Sequence, residues 1–481
     1  MIYRLLLLCC LSFGLTAPCL RGQAPQAPVA GKPTVAEPTL DLQDGDTLVF
    51  LGDSITHQCL HTQYVEDFFL TRYPERRIHF HNAGVSGDRA ADALRRFDDD
   101  VAAFHPKYVT LMLGMNDGQY QDFSPEIFAT YQRDMSELLD RIRTFGATAI
   151  IMTPTPFDHH QLALRMEDDT YRFRTREFSP QYNSVLGFYA GWLRESAGQR
   201  GLPAVDLWGP LNDFTFAKRR TDPDFSLVPD AIHPGEAGQF IMAYSLLSQF
   251  SPDRKFVSSI SLGKRGNQWI PAGSNGTLTD LAELPEGAGL TFTHLSPALP
   301  WVVPASGTAE ALKWESSHPA AMGMDLTKAG HRLGGERLKI SGLPPGLYEI
   351  TIDGKPLGKP VPHSVLAAKI ELQANVATPQ YAQAMEVALL NRERNDKSVR
   401  PLRDQWGRIK GLRNQLATAT EEKKTKLEGD IAAALAKVND LVALGREFEE
   451  KLHAASQPVP RHYGVRLLKP RPKSPPEPRQ N

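Results

Sequence analysis

Val49-Phe50-Leu51-Gly52-Asp53-Ser54-Ile55-Thr56-His57-Gln58 starts as an unbroken apolar run and passes through a glycine into helix-starting residues. A strand with no polar face, here Thr47–Leu51, is what lies between two helix layers. Four further short aliphatic runs have the same character: Arg77–Phe80, Tyr108–Leu113, Thr148–Met152 and Ala204–Leu207. Helix-length segments such as Pro125–Arg143 and Tyr182–Ala197 separate them. Alternation of this kind over residues 46–250 predicts a parallel sheet with right-handed crossovers. Ligands of such sheets sit beyond the C-terminal ends of the strands, so chemistry is sought there.

The rest of the chain is organised differently. Its 481 residues imply about three domains. From 255 to 366, Gly and Pro become frequent and short alternating runs replace helices. Tyr348, Ile350 and Ile352 alternate with Glu349 and Thr351, as on a half-buried strand, and Asp353-Gly354 follows as a turn. This reads as a β-rich accessory domain. Residues 376–456 are helical, opened by Thr378-Pro379 as N-cap and first-turn proline. Leu402, Trp406, Ile409, Leu412 and Leu416 form one apolar stripe, and Leu427, Ile431, Val438, Leu441 and Phe448 another. Such helices pack on each other or on the main domain. Residues 458–481 are Pro-rich and basic and read as a disordered tail.

The N-terminus describes a route. Met1–Arg4 carries one positive charge, Leu5–Leu15 is apolar, and Gly22-Gln23-Ala24 gives a small-residue exit. Residues 1–24 are therefore expected to be a secretory signal peptide, making the protein exported, either periplasmic or extracellular. A flexible leader over 25–45 follows. Cys9, Cys10 and Cys19 fall within the removed segment, leaving Cys59 with no partner for an internal disulfide. Cys59 reads as a small buried hydrophobe.

Charge excludes several classes. Lys+Arg 54 and Asp+Glu 55 nearly cancel, which argues against a nucleic-acid binder. A hydrophobic content of 41% argues against a disordered scaffold. No apolar run reaches the ~18–20 residues of a membrane span, so no stable membrane insertion is expected. No spacing suits a metal, and neither G-x-G-x-x-G nor a P-loop occurs, so no cofactor and no metal are expected.

Three motifs fall where the fold would put a site. The first strand enters Gly52-Asp53-Ser54, the third ends in Gly114-Met115-Asn116-Asp117, and Asp230-Ala231-Ile232-His233 precedes the last helix. Each string alone would serve as a cap or turn; in order, at strand ends, they compose an acyl-transfer site. A serine hydroxyl needs a base, and His is the side chain suited to that near neutrality. Ser54 sits at a strand-to-helix junction, where backbone N–H groups favour developing negative charge. His233 would be its base and Asp230 the acceptor orienting the imidazole. An oxyanion needs donors. Asn116 offers an amide, and the turn Asn82-Ala83-Gly84-Val85-Ser86-Gly87 offers a backbone N–H at one of its glycines.

These blocks resemble those of the SGNH (GDSL-type) hydrolases: V-F-L-G-D-S-I-T-H-Q at 49–58, N-A-G-V-S-G at 82–87, G-M-N-D at 114–117 and D-A-I-H-P at 230–234. The resemblance implies a three-layer α/β sandwich with a five-stranded parallel sheet and a serine esterase working without a metal. It implies Ser54 as nucleophile, Asp230 and His233 as acid and base, and an oxyanion hole of Ser54, Gly87 and Asn116. Gly87 is preferred over Gly84 because the family's glycine usually follows a serine, here Ser86. The layout, with β-rich extension and C-terminal helices, is similar to secreted members from Planctomycetes-type bacteria. The expected activity is hydrolysis of acyl esters through an acyl-enzyme, with acetylated carbohydrate as substrate. The alternatives are a lipase or lysophospholipase of the same family, or a non-catalytic glycan-binding protein.

Overall fold

The structure, a computed structural model, describes residues 40–250, 256–304, 319–373 and 375–470. The expected signal peptide, most of the leader and the end of the basic tail lie outside the described residues. The described residues form one compact unit.

Strands β1 (Thr47–Gly52), β2 (His79–Gly84), β3 (Tyr108–Met112), β4 (Thr148–Met152) and β5 (Ala204–Val205) form a parallel sheet ordered 2-1-3-4-5. The interior strand β1 is buried on both faces: Leu48, Val49, Phe50 and Leu51 are inaccessible to solvent. Each such side chain contributes roughly 1.5–3 kcal/mol of burial free energy. Helices flank the sheet, namely α1 (Ser54–His57), α2 (Leu60–Arg72), α3 (Ala90–Asp100), α4 (Pro125–Phe145), α5 (His159–Arg165), α6 (Tyr182–Arg200), α7 (Trp208–Arg219) and α8 (Glu236–Gln249). α2 packs on α8, and α3 on α4, to give the two outer layers. This is the three-layer sandwich expected from the motifs.

β1 and β3 differ from expectation by one residue at their ends, and β2 and β5 by more. β2 lies further along than Arg77–Phe80, because Asn82, Ala83 and Gly84 pair with Phe50, Leu51 and Gly52 and so belong to the ladder rather than to a turn. β5 is cut to two residues. There Thr153 Oγ1 accepts from Leu207 N at 2.8 Å and Asp206 Oδ1 from Gly209 N at 3.1 Å, which starts α7 early.

The β-rich region comprises β6 (Phe256–Arg265), β7 (Gln268–Pro271), β8 (Thr277–Glu283), β9 (Gly289–Leu295), α9 (Pro319–Thr327), α10 (Ala329–Leu333), β10 (Gly335–Ser341), β11 (Gly346–Ile352), β12 (Lys355–Pro356), β13 (Val361–Pro362), α11 (His363–Ala368) and β14 (Ile370–Glu371). Three helices follow: α12 (Pro379–Arg394), α13 (Arg400–Leu416) and α14 (Glu421–Ala455), with a π-helical turn at Asn395–Val399 between the first two. Thr378 caps α12 by accepting from Tyr381 N, as its sequence suggested.

The expected disordered tail requires correction. Arg461–Pro470 is a strand, β15, and it lies at the centre of a sheet ordered β12-β11-β15-β9-β8. Proline content and positive charge obscured a period-2 pattern in which Tyr463 and Val465 point into the core. The chain leaves this sheet, builds three helices and returns to complete it. The β-rich and helical regions are thus interleaved. Both are fixed to the first sheet's layers: Trp301 donates to Tyr64 O at 3.0 Å and stacks on Phe240, and Arg72 donates to Leu333 O at 2.6 Å.

The helices dock through a buried ionic seam. Arg403 of α13 grips Asp100 of α3 with two bonds of 2.7 and 2.8 Å, both side chains fully buried. Arg96 reaches the same carboxylate at 2.6 Å, and Arg394 of α12 pairs with Glu66 at 3.2 Å. Against burial, the Arg403 guanidinium, a hydrogen bond with His81 and Arg96 hold Asp100 well below the usual carboxylate range.

Candidate active site

Ser54 is the first residue of α1, at the end of β1. Its predecessor Asp53 is buried and caps the helix, Oδ1 accepting from Ile55 N at 2.9 Å. The first N–H groups of a helix have no intrahelical acceptor, so that of Ser54 is available to a ligand. Across the sheet's end, His233 Nε2 lies 2.8 Å from Ser54 Oγ, and His233 Nδ1 lies 2.8 Å from Asp230 Oδ2. The carboxylate can only accept, which puts the proton on Nδ1 and leaves Nε2 to take the Ser54 hydroxyl proton. Burial would raise the Asp230 carboxyl, but the His233 bond, the His233 charge and the N–H groups of His233 and Ile232 together outweigh it and hold the group at about 2.

Local backbone shape makes this reach possible. Ala231 adopts φ 71, an uncommon region for a residue with a Cβ. The turn folds Asp230 Oδ1 back onto the N–H groups of Ile232 and His233 at 3.0 and 2.6 Å. Gly84 and Gly87, both plausible donors by sequence, are told apart by geometry. A Cβ on Gly84 would sit 2.4 Å from His57 N, and its own N–H is spent on Asn82 Oδ1 at 2.9 Å. Gly87 has φ +72 with open space around it, and among the described residues no acceptor takes its N–H. Asn116 donates to Asp88 O at 3.0 Å while Tyr120 donates to Asn116 Oδ1 at 3.1 Å, which orients the amide. Its nitrogen also lies 3.4 Å from Asp53 Oδ2. Every expected site residue is thus at one strand-end face: His233 bonds Ser54 on one side and Asp230 on the other, with Gly87 and Asn116 beside Asp88.

Several participants were not singled out from sequence. Arg172, from the segment between α5 and α6, donates to Asp230 Oδ2 at 3.2 Å and touches His233 Nδ1 at 3.1 Å. The Phe173 ring faces that of His233 at 6.4 Å, and Tyr171 donates to Asp230 O at 2.8 Å. Burial raises the Asp53 carboxyl to about 6 and that of Asp117 to about 7. Asp117 Oδ1 accepts from Ala90 N at 2.8 Å, while its Oδ2 is buried with no hydrogen-bond partner among the described residues. Cys59 is buried, its thiol pushed up to about 12 by that burial. Among the described residues no cluster of three His, Cys, Asp or Glu is placed to hold a metal, and no helix is long and apolar enough to cross a membrane.

Comparison with known proteins agrees with this arrangement. Residues 50–240 match the family model of the GDSL-like lipases and acylhydrolases. An acetylxylan esterase of Geobacillus stearothermophilus is 24% identical over 233 residues, which are 44% of this chain and 96% of that protein. A solved structure described as BT4096, a gut microbial diltiazem-metabolizing enzyme, superposes with a TM-score of 0.72 at 24% identity, covering 89% of this chain and 99% of that one. The last likeness concerns fold and extends through the β-rich and helical regions. The chain carries an SGNH hydrolase domain of the GDSL-like lipase/acylhydrolase family. It is a serine hydrolase acting on ester bonds.

Proposed function

We propose that the protein is an exported esterase that removes acetyl groups from carbohydrate, with Ser54 as nucleophile. The observation that carries the catalytic part is the Ser54–His233–Asp230 chain, with 2.8 Å at each link. Ser54 Oγ attacks the ester carbonyl as His233 Nε2 takes its proton. The N–H groups of Ser54 and Gly87 and the Asn116 amide receive the oxyanion. His233 returns the proton to the leaving alcohol, and the acyl group remains on Ser54. Water, deprotonated by His233, then releases the acid. Asp230 stays ionised throughout and stabilises the imidazolium formed in each half.

Export rests on the sequence pattern of residues 1–24. Support for the carbohydrate substrate comes from the acetylxylan esterase relative, which spans the catalytic region. A β-rich extension fixed to that region suits a polymeric substrate. Acetate release from acetylated xylan should exceed turnover of esters with acyl chains above about eight carbons, and both should vanish in Ser54→Ala. Preference for the long chains would overturn the carbohydrate reading in favour of a lipase. Affinity for xylan without hydrolysis of any ester would mark a binding protein instead.

A further inference from the structure

We propose that the C-terminal helix α13 is part of the active site, and that its Lys410 positions the oxyanion donors. The inference rests on the catalytic reading above and concerns how the turn after β2 is held. That turn has little packing of its own: Ser86 and Gly87 are exposed, and no atom lies within 4 Å of where a Gly87 Cβ would be. A donor in such a turn is placed only by what tethers it.

Beside Val85 N on Gly52 O at 3.2 Å and Arg96 Nε on Asp88 Oδ2 at 2.8 Å, the ties of residues 85 to 88 lead to α13. Val85 is fully buried in a cluster otherwise made by the C-terminal helices, including Leu402, Trp406 and Ile409. Ser86 Oγ lies 3.1 Å from His57 Nδ1, and the opposite nitrogen of that ring lies 3.2 Å from Asp404 Oδ1. Lys410 Nζ donates to Gly87 O at 3.1 Å, to Asp88 Oδ1 at 2.9 Å and to Asp92 Oδ2 at 3.2 Å. Asp88 is buried, also bonded by Arg96 Nε at 2.8 Å, and its carbonyl accepts the Asn116 amide. One ammonium therefore fixes the peptide after Gly87 and the residue on which Asn116 leans. Lys410 touches no reacting atom; it is a positioning residue.

Misplacement by about 1 Å costs up to about 10²-fold in such sites, so Lys410→Met should lower kcat for 4-nitrophenyl acetate about 10- to 100-fold with KM little changed. Lys410→Arg should recover part of the loss. Arg413→Ala removes a comparable tie, the 2.8 Å bond to Asp99 one turn along the same helix, and should leave kcat within about twofold. The deciding readout is the pairing with Asn116→Ala. If Lys410 acts through the oxyanion donors, Lys410→Met costs much less in that background than in the wild type. Additive losses, or an equal loss in Arg413→Ala, would overturn the proposal, as would an unchanged kcat in Lys410→Met. Ser54→Ala, run beside these, separates the two readings: activity surviving in it refutes the catalytic assignment, whereas its silence with an active Lys410→Met refutes only the role of α13.

Discussion

The site has two halves that are built in opposite ways. The acid–base half is local: Asp230 and His233 are three residues apart in one turn, and the charged group that reaches them from the loop before α6, Arg172, has a side chain 62% exposed. The oxyanion half is assembled over distance, since Gly87 is tethered by Lys410 across 323 residues of sequence. Their electrostatics differ too. Asp230 is held at about 2 against its burial, whereas Asp53 and Asp117 are raised to about 6 and about 7 because burial prevails. A local turn can align a proton relay by itself; a donor in an exposed turn needs external support, and the C-terminal helices supply it.

The largest way to break this contrast is at the seam beneath the oxyanion half. Arg403→Met leaves the fully buried Asp100 carboxylate with one guanidinium fewer. Removing one partner of a buried pair costs about 3–5 kcal/mol. Arg172→Ala breaks an exposed pair on the acid–base side and should cost no more than about 1 kcal/mol. Denaturant unfolding of both variants measures the difference. Equal losses would show that the two halves are supported alike.

That contrast also decided what the sequence could disclose. The parallel sheet and the grouping of Ser54, His233 and Asp230 were legible because each rests on short motifs: apolar runs without a polar face, and D-x-x-H at a strand end. Gly87 was legible only by resemblance, and geometry separates it from Gly84 through the clash at His57 N and the spent N–H. Lys410, Arg403 and Asp404 were not legible. They read as ordinary charges on an amphipathic helix, and only the docking of α13 brings them to Asp88, Asp100 and His57. β15 was missed for a related reason: its alternation is visible, but its partners, β9 and β11, lie more than a hundred residues upstream.

A smaller effect sharpens the electrostatic side of the comparison. Asp117 has a folded value of about 7 against an ordinary 3.8, so its protonated form is favoured by folding. Its contribution is harmless below pH about 3.8 and becomes increasingly destabilising up to about pH 7. Asp117→Asn retains an acceptor for Ala90 N and removes the charge. Its Tm should match the wild type near pH 3.5 and exceed it by a few degrees at pH 8, as followed by calorimetry. A gain independent of pH would show that the carboxyl is not the source.

The central claim is that Ser54 carries the acyl group, and mass spectrometry of the protein quenched during turnover of 4-nitrophenyl acetate tests it most directly. The account predicts acetyl on the peptide containing Ser54, formed far more slowly in His233→Ala, which lacks the base for the attack. Acetyl on another residue, or none at Ser54 while turnover proceeds, would contradict it.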